Sequence, residues 1–145
     1  MFGGILKTNS ESDIEDSKNY DIPNIDLVIV DLYPFEETIA REDVTLPEAI
    51  EQIDIGGPAM IRAAAKNHGY VAVIVDVEDY TPVLAELTAS NGELSLATKK
   101  TLAARAYART AAYDAAISTW FGQTLAAAQK PEDRTPPRRF ALAGR

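Results

Sequence analysis

The chain has 145 residues, of which 46% are apolar and 25% are charged, and this composition indicates a single globular domain. Its 22 acidic and 14 basic residues give a net charge of −8, which argues against general binding to nucleic acid or to an anionic membrane, because both rely on a basic surface. The lack of cysteine excludes disulfides and thiolate metal sites, and a single histidine excludes a histidine-rich metal cluster.

No pattern in the sequence predicts a membrane span or a secretory signal. The apolar runs are all shorter than the roughly 20 residues that a transmembrane helix needs. Met1 is not followed by a signal-peptide pattern. We therefore expect a soluble cytoplasmic protein in which any phosphate is held by a local site.

The first predicted elements are a polar connection and a strand. Residues 8–24 are rich in Ser, Asp and Asn, which indicates a surface connection or a short frayed helix. Residues 25–33 form a near-continuous apolar run with many β-branched side chains, which is typical of a strand in a parallel sheet covered on both faces. Pro34 ends this strand.

A short helix is predicted next. Thr45 is followed by Glu48 with the spacing of a capping box, in which each residue satisfies a backbone N–H of the other. This helix is expected to carry Ala49, Ile50 and Ile53 on its apolar side.

A glycine pair then precedes a helix start and two spaced cations. Gly56 and Gly57 allow a tight turn and close approach of a ligand, and Pro58 suits the first position of a helix. The free N–H groups and the positive end of the helix dipole would face an anion. Arg62 and Lys66 follow at steps of four residues and extend the same face. Taken alone, these residues fit equally well a tight strand-to-helix turn with a solvated arginine and lysine.

The remaining elements complete a parallel α/β pattern. Residues 70–75 read as a second buried strand, and residues 79–88 as a helix despite Pro82 near its start. Residues 95–121 form a long alanine-rich helix, which serves either as a core helix or as an oligomer face. The order strand, helix, helix, strand, helix is that of a parallel α/β unit. The apolar stripe of the long helix comprises Leu102, Ala106, Tyr113, Ile117 and Trp120.

Three blocks of the sequence are specific when taken together: residues 31–38 (DLYPFEET), residues 52–68 (QIDIGGPAMIRAAAKNH) and residues 106–117 (AYARTAAYDAAI). In this order they resemble the inosine monophosphate (IMP) cyclohydrolase domain of the bifunctional purine biosynthesis family. The resemblance runs from about residue 3 to residue 121.

The resemblance implies an α/β fold with a doubly wound parallel sheet of the methylglyoxal-synthase-like type, N-terminally truncated and followed by a long helix. It implies that residues 1–122 are a partial IMP cyclohydrolase domain. Residues 123–145 would be a Pro/Arg-rich linker toward an absent formyltransferase domain. In the family, an initial strand, a phosphate-binding loop and a Lys-Thr-Leu-His-Pro motif precede the segment that residues 2–6 match. We therefore expect a fragment that starts inside the active site and is inactive and prone to association when made alone.

The resemblance also implies a chemistry. The carboxamide nitrogen of formylaminoimidazole carboxamide ribonucleotide attacks the formyl carbon, and water leaves to give IMP. Lys66 and Tyr33 match the positions that stabilise the charge on the adduct oxygen, and Tyr33 is also a candidate proton donor to that oxygen. Asp54 matches the carboxylate that orients or deprotonates the carboxamide. The implied nucleotide-binding residues are Gly3, Gly4, Asp31, Gly56, Gly57, Arg62 and Asn67.

The cyclisation needs no metal and no cofactor, whereas the absent formyltransferase domain uses 10-formyltetrahydrofolate. The implied partners are a purine-pathway nucleotide substrate and, in the full-length protein, a second copy in a homodimer. Two positions depart from the family pattern. Phe2 replaces a small residue or histidine, and Asp31 replaces an asparagine whose amide can donate a hydrogen bond that an ionised carboxylate cannot.

Each catalytic assignment has a structural alternative. Tyr33 also fits a buried tyrosine at a strand end, Asp54 a turn cap, and Lys66 a solvated helix lysine. The tyrosines and the tryptophan of the long helix fit core or dimer packing better than a base-stacking platform. For the whole chain, the alternatives to an IMP cyclohydrolase are a methylglyoxal-synthase-like regulatory module that binds nucleotides, or an inactive truncated gene product.

Overall fold

The computed structural model describes residues 1–128, so the part of the predicted linker from residue 129 to residue 145 lies outside the described residues. Short helices surround two strands, and one long helix crosses them. The elements are α1 (Phe2–Leu6), α2 (Glu11–Asn19), β1 (Leu27–Ile29), α3 (Phe35–Ile39), α4 (Leu46–Glu51), α5 (Gly56–Lys66), β2 (Ala72–Ile74), a 3-10 turn (Val77–Asp79), α6 (Tyr80–Ala89) and α7 (Leu96–Ala128).

The two strands pair in parallel, as the apolar runs predicted, with Val28 opposite Val73. Both strands are shorter than the runs that predicted them. The ladder closes with a hydrogen bond from Val30 N–H to the Ile74 carbonyl at 3.1 Å, and β2 is then followed by the 3-10 turn. Pairing therefore stops although the sequence remains apolar.

The core lies between the sheet and the helices α5 and α7. These two helices meet through alanines, including Ala64 on α5 and Ala106 on α7, which are both fully buried. Small side chains at the contact let the two backbones approach closely. The aromatic rings of Tyr113 and Trp120 on α7 pack edge-on against Phe35, with centroids 6.2 and 5.6 Å apart. The predicted apolar stripe of the long helix is thus core packing.

The second face of the sheet is covered at β2. Val83 of α6 and Leu102 of α7 belong there to one buried cluster with Ala72 and Ile74. On β1, Leu27 is 37% exposed and Ile29 is 53% exposed, so this strand is not covered on both faces as its apolar run predicted.

The helix boundaries confirm some predictions and correct others. The capping box is present, since Thr45 N–H donates to Glu48 Oε2 at 2.9 Å and Glu48 N–H donates to Thr45 Oγ1 at 3.4 Å. Helix α5 begins at Gly56, so Pro58 is its third residue rather than its first. Proline fits there because no N–H of the first turn has an intrahelical partner. Helix α7 continues past its predicted end to Ala128.

Within the described residues, no helix is both long enough and apolar enough to cross a membrane. The described part of the chain also lacks any group of three or more His, Asp or Glu side chains that could hold a metal ion.

A buried ion pair fastens α7 to the start of α6. Asp79 is 2% exposed, and one of its carboxylate oxygens accepts a hydrogen bond from Arg105. Its other oxygen has no hydrogen-bond partner among the described residues. Removal of the arginine would leave a buried carboxylate without its counter-charge.

We expect Arg105→Ala to lower the free energy of unfolding by roughly 2–4 kcal/mol, because an uncompensated buried charge is expensive even where its lost partner was half exposed. Arg41→Ala is the matched control, since Arg41 pairs with Asp43 at an exposed site and should change stability much less than Arg105→Ala does. Urea denaturation of both variants measures the difference. Equal losses of stability in the two variants would show that the buried ion pair stabilises the fold no more than the exposed one does.

Candidate functional site

An open groove of about 620 Å³ lies at the carboxyl end of β1. In a parallel sheet this edge is where loops converge and ligands usually bind. The chain reaches the groove twice, first in the loop that follows β1 and again at the start of α5. The groove is lined by Asp31, Tyr33, Glu51, Asp54, Gly56 and Gly57, together with apolar side chains.

Asp54 joins these two segments. Its Oδ1 accepts a hydrogen bond from Gly57 N–H at 2.7 Å, and its Oδ2 accepts one from Tyr33 N–H at 3.3 Å. The carboxylate therefore caps the turn into α5, which is the structural alternative that the sequence left open. Each oxygen keeps a second lone pair, so this carboxylate is also able to accept an N–H from a ligand.

Gly57 leaves the space that the Asp54 carboxylate occupies. A Cβ atom at this position would lie 2.6 Å from Asp54 Oδ2 and 2.7 Å from Leu32 Cδ2. A Cβ atom at Gly56 would meet nothing within 4 Å. Of the two adjacent glycines, only the second is required by packing.

Tyr33 lies at the mouth of the groove and is 55% exposed. It is therefore not the buried strand-end tyrosine that the residue pattern allowed. More than half of its surface is accessible, and its backbone N–H donates to Asp54.

The cations of α5 lie away from this groove. Lys66 is the last residue of the helix, ten residues beyond Gly56, which at about 1.5 Å per residue is a separation of about 15 Å. Arg62 is exposed, and its guanidinium carbon lies 5.5 Å from the centroid of the Tyr107 ring. The structure thus brings Tyr33 and Asp54 together but does not bring Lys66 to them, and the catalytic role of Lys66 stays a prediction.

The remaining predicted binding residues lie at the opposite, amino edge of the sheet. The side-chain amide of Asn67 donates to the carbonyls of Ile5 and Lys7, both at 2.8 Å, and so fastens α1 to the end of α5. Gly4 is buried, and a Cβ there would lie 2.6 Å from the carbonyl oxygen of Pro23. Gly3 precedes it in α1. Contacts from these residues to a nucleotide stay predictions.

Sequence reasoning missed the part that Tyr113 plays at this edge. The hydroxyl of Tyr113 accepts a hydrogen bond from Asp54 N–H at 2.8 Å and donates one to the Gln52 carbonyl at 2.9 Å. Burial raises the pKa of this hydroxyl, and the Asp54 hydrogen bond only partly offsets that effect. The signal available in the sequence was the position of Tyr113 on an apolar stripe, which indicates packing but not a hydrogen bond across 59 residues.

Arg109 ties the same helix to the segment after Tyr33. Its Nη1 donates to Glu36 Oε1 at 2.7 Å, and its guanidinium carbon lies 5.4 Å from the Tyr113 ring centroid. Partial burial by itself raises the pKa of Glu36, but the hydrogen bonds and the charge of Arg109 outweigh it and hold that pKa below its ordinary value.

The charge of the groove limits its chemistry. The lining contains three carboxylates and, among the described residues, no lysine or arginine. Such a surface favours ligand groups that donate hydrogen bonds, such as amides and amines, over a phosphate. The N-terminus of α5 opposes this acidity only in part, since its dipole is equivalent to about half a charge.

Two family models match the chain. The model of the AICARFT/IMPCHase bienzyme matches residues 64–143, and the model of the MGS-like domain matches residues 5–59. The second match confirms the predicted methylglyoxal-synthase-like α/β class, and together they confirm the resemblance seen in the three sequence blocks.

Several relatives share about half of their aligned residues with this chain, and each is a bifunctional purine biosynthesis protein PurH. That of Roseobacter denitrificans is 51% identical over 145 residues, which is 99% of this chain and 26% of the relative. That of Streptococcus mutans is 49% identical over 136 residues, which is 93% of this chain and 26% of the relative. The chain thus spans about a quarter of the length of these relatives.

One solved structure is similar in fold as well as in sequence. The crystal structure of ForH superposes with a TM-score of 0.75 and 36% sequence identity, over 83% of this chain and 62% of that one.

The first prediction from the site concerns the two glycines. Gly57→Ala should displace the Asp54 carboxylate and lower the free energy of unfolding by about 1–3 kcal/mol, because the added methyl group overlaps that carboxylate and Leu32. Gly56→Ala has open space and should be neutral, or stabilising by up to about 1 kcal/mol, because it adds a helix former to α5. Thermal denaturation compares the two variants. A Gly57→Ala protein as stable as the wild type would contradict the prediction.

The second prediction concerns pH. Because the folded pKa of Glu36 lies below its unfolded value of 4.5, the stabilisation by Arg109 is fully present above that pH and is lost as the pH falls through the folded pKa. Glu36→Gln should therefore lower stability at pH 7 by no more than about 1 kcal/mol, and this loss should shrink as the pH falls below 4.5 and through the folded pKa. Urea denaturation across this range measures it, with Glu37→Gln on the same helix as the control. A stability difference between wild type and Glu36→Gln that does not change with pH would show that the charge of Glu36 is not its cause.

Proposed function

The chain belongs to the AICARFT/IMPCHase bienzyme family, and from this membership we propose that it forms part of an IMP cyclohydrolase of purine biosynthesis. The reaction closes formylaminoimidazole carboxamide ribonucleotide to IMP with loss of one water molecule. The observation that carries the proposal is the meeting of Tyr33 and Asp54 at one groove, in a chain of this family.

In the proposed reaction the carboxamide nitrogen attacks the formyl carbon, so that one C–N bond forms and the formyl oxygen becomes a tetrahedral adduct oxygen. Asp54 would accept an N–H of the carboxamide and orient its nitrogen, using a lone pair that the backbone does not occupy. The hydroxyl of Tyr33 would donate a hydrogen bond to the adduct oxygen. That oxygen leaves as water after it has gained two protons, one lost by the carboxamide nitrogen and one lost by the formamido nitrogen, as the C–O bond breaks.

The charge of the groove supports binding of the heterocyclic end of the substrate. Asp31, Glu51 and Asp54 offer acceptors to the amide and amine hydrogens of that end, and Asp31 fills the position where the family pattern has asparagine. The 5′-phosphate would be bound elsewhere. We propose that Gly56 and Gly57 contribute backbone contacts to the nucleotide.

Lys66, Arg62, Asn67, Gly3 and Gly4 are proposed to contribute in the assembled protein rather than at this groove. The two ends of α5 lie about 15 Å apart. Lys66 would therefore reach the adduct only if this part of the chain were arranged differently. We also propose that the longer protein forms a homodimer in the cytoplasm. There the cyclisation would need no cofactor, and 10-formyltetrahydrofolate would serve the separate formyltransferase step.

A second candidate is a methylglyoxal-synthase-like module that binds a nucleotide without cyclising it. The MGS-like match over residues 5–59 and the separation of Lys66 from Asp54 favour this alternative. A product without activity is the third. These three candidate functions predict different results when nucleotide binding and turnover are both measured.

We expect Asp54→Asn and Tyr33→Phe to lower kcat for IMP formation by about ten- to a thousandfold in a full-length family member that carries these residues. Their effect on KM should be smaller, because the interactions strengthen as charge develops on the adduct. The increase in ultraviolet absorbance on IMP formation measures turnover. Tyr80→Phe removes a hydroxyl from α6 and is the matched control.

The 145-residue chain is assayed in parallel by isothermal titration with IMP. Binding without turnover in both proteins would favour the regulatory module, and neither binding nor turnover in the chain would favour an inactive product. Equal losses in kcat and in affinity would mark Asp54 and Tyr33 as ordinary binding residues.

A further inference from the structure

The loop that carries Asp54 lies between α4 and α5 and has no regular secondary structure. It nevertheless has two of its backbone groups bound by a single buried hydroxyl. Tyr113 accepts from Asp54 N–H at 2.8 Å and donates to the Gln52 carbonyl at 2.9 Å, and its side chain is 1% exposed. Tyr113 is thus buried while Gln52 and Asp54 are half-buried, and loss of the hydroxyl would leave both backbone groups without this partner.

We propose that Tyr113 is a positioning residue for Asp54 and sets the place of its carboxylate in the groove. An effect of Tyr113 on catalysis rests on the proposed function, whereas its effect on the position of Asp54 does not. A hydroxyl has one proton, so its donation to Gln52 leaves only its lone pairs for the Asp54 N–H. This pattern of one donated and one accepted hydrogen bond fixes the orientation of the loop. The Asp54 carboxylate is then positioned as well, because it accepts from Gly57 N–H and Tyr33 N–H.

The ring that carries this hydroxyl is itself held on several sides. Phe35 packs against its edge, with centroids 6.2 Å apart, and the Arg109 guanidinium carbon lies 5.4 Å from the ring centroid. Arg109 also binds Glu36 on α3. The long helix thus connects the segment after β1, which carries Tyr33, to the loop before α5, which carries Asp54. The hydroxyl is protonated at neutral pH, as donation to Gln52 requires, because the ordinary pKa of tyrosine is about 10 and burial raises the pKa of Tyr113 further.

Amide hydrogen exchange on the 145-residue chain tests the proposal directly. In the wild-type protein the Asp54 amide should be protected to within about tenfold of the core amide of Ile61, although it belongs to a loop. Fast exchange typical of a free loop would overturn the proposal without any variant.

Tyr113→Phe keeps the ring and removes only the hydroxyl. We expect exchange at the amides of Asp54 and Gly57 to rise at least about tenfold relative to Ile61, and the Kd for IMP to rise about tenfold. Val73→Ala is the stability control, because it opens the core without touching the hydroxyl and should accelerate exchange at all three amides alike. Unchanged relative exchange in Tyr113→Phe, or the same pattern in both variants, would overturn the proposal.

The titration with IMP separates this inference from the proposed function. If the wild-type chain does not bind IMP, this chain by itself is favoured as an inactive product, and the exchange ratio alone decides the positioning role. If IMP binds equally to wild type and Tyr113→Phe while exchange at Asp54 rises, the loop is positioned by Tyr113 but Asp54 is not a ligand contact, which overturns the link to catalysis.

Discussion

The packing of α5 against α7 is the constraint from which the rest of the site follows. Alanines such as Ala64 and Ala106 bring the two helices close together, and this approach places the hydroxyl of Tyr113 within reach of the loop that precedes α5. The hydrogen bond from Asp54 N–H to this hydroxyl is 2.8 Å long, so it depends on the separation of the two helices. In this fold, the geometry of the groove is a consequence of how the core is packed.

The direction of α5 explains why the predicted site residues separate into two groups. The helix returns from the carboxyl edge of the sheet to its amino edge, so Gly57 at its start faces the groove while Lys66 at its end does not. A periodicity argument places residues on one face of a helix, but it contains no information on how far apart they lie along the axis. Asn67 then acts at the amino edge, where it joins α1 to α5.

Much of this fold could be predicted from local sequence signals. The β-branched runs predicted two parallel strands, the spacing of Thr45 and Glu48 predicted a helix start, and the alanine-rich segment predicted the long helix. Three features could not be predicted in this way. The strands are shorter than their apolar runs because pairing depends on the neighbouring strand, α3 has no strong start signal, and the bond between Tyr113 and Asp54 depends on tertiary packing.

The acidity of the groove, finally, limits the kinds of ligand group that the groove can hold. A phosphate at this edge would face the carboxylates of Asp31, Glu51 and Asp54, and a helix dipole equivalent to about half a charge does not compensate for all of them. A carboxamide or an amine gains from the same three groups, because each can accept a hydrogen bond. The groove is therefore suited to the end of a ligand that donates hydrogen bonds. The Asp54 carboxylate accepts from the N–H groups of Gly57 and Tyr33, and its own backbone N–H donates to Tyr113. That end of a ligand would therefore meet an acceptor that is already in place before binding.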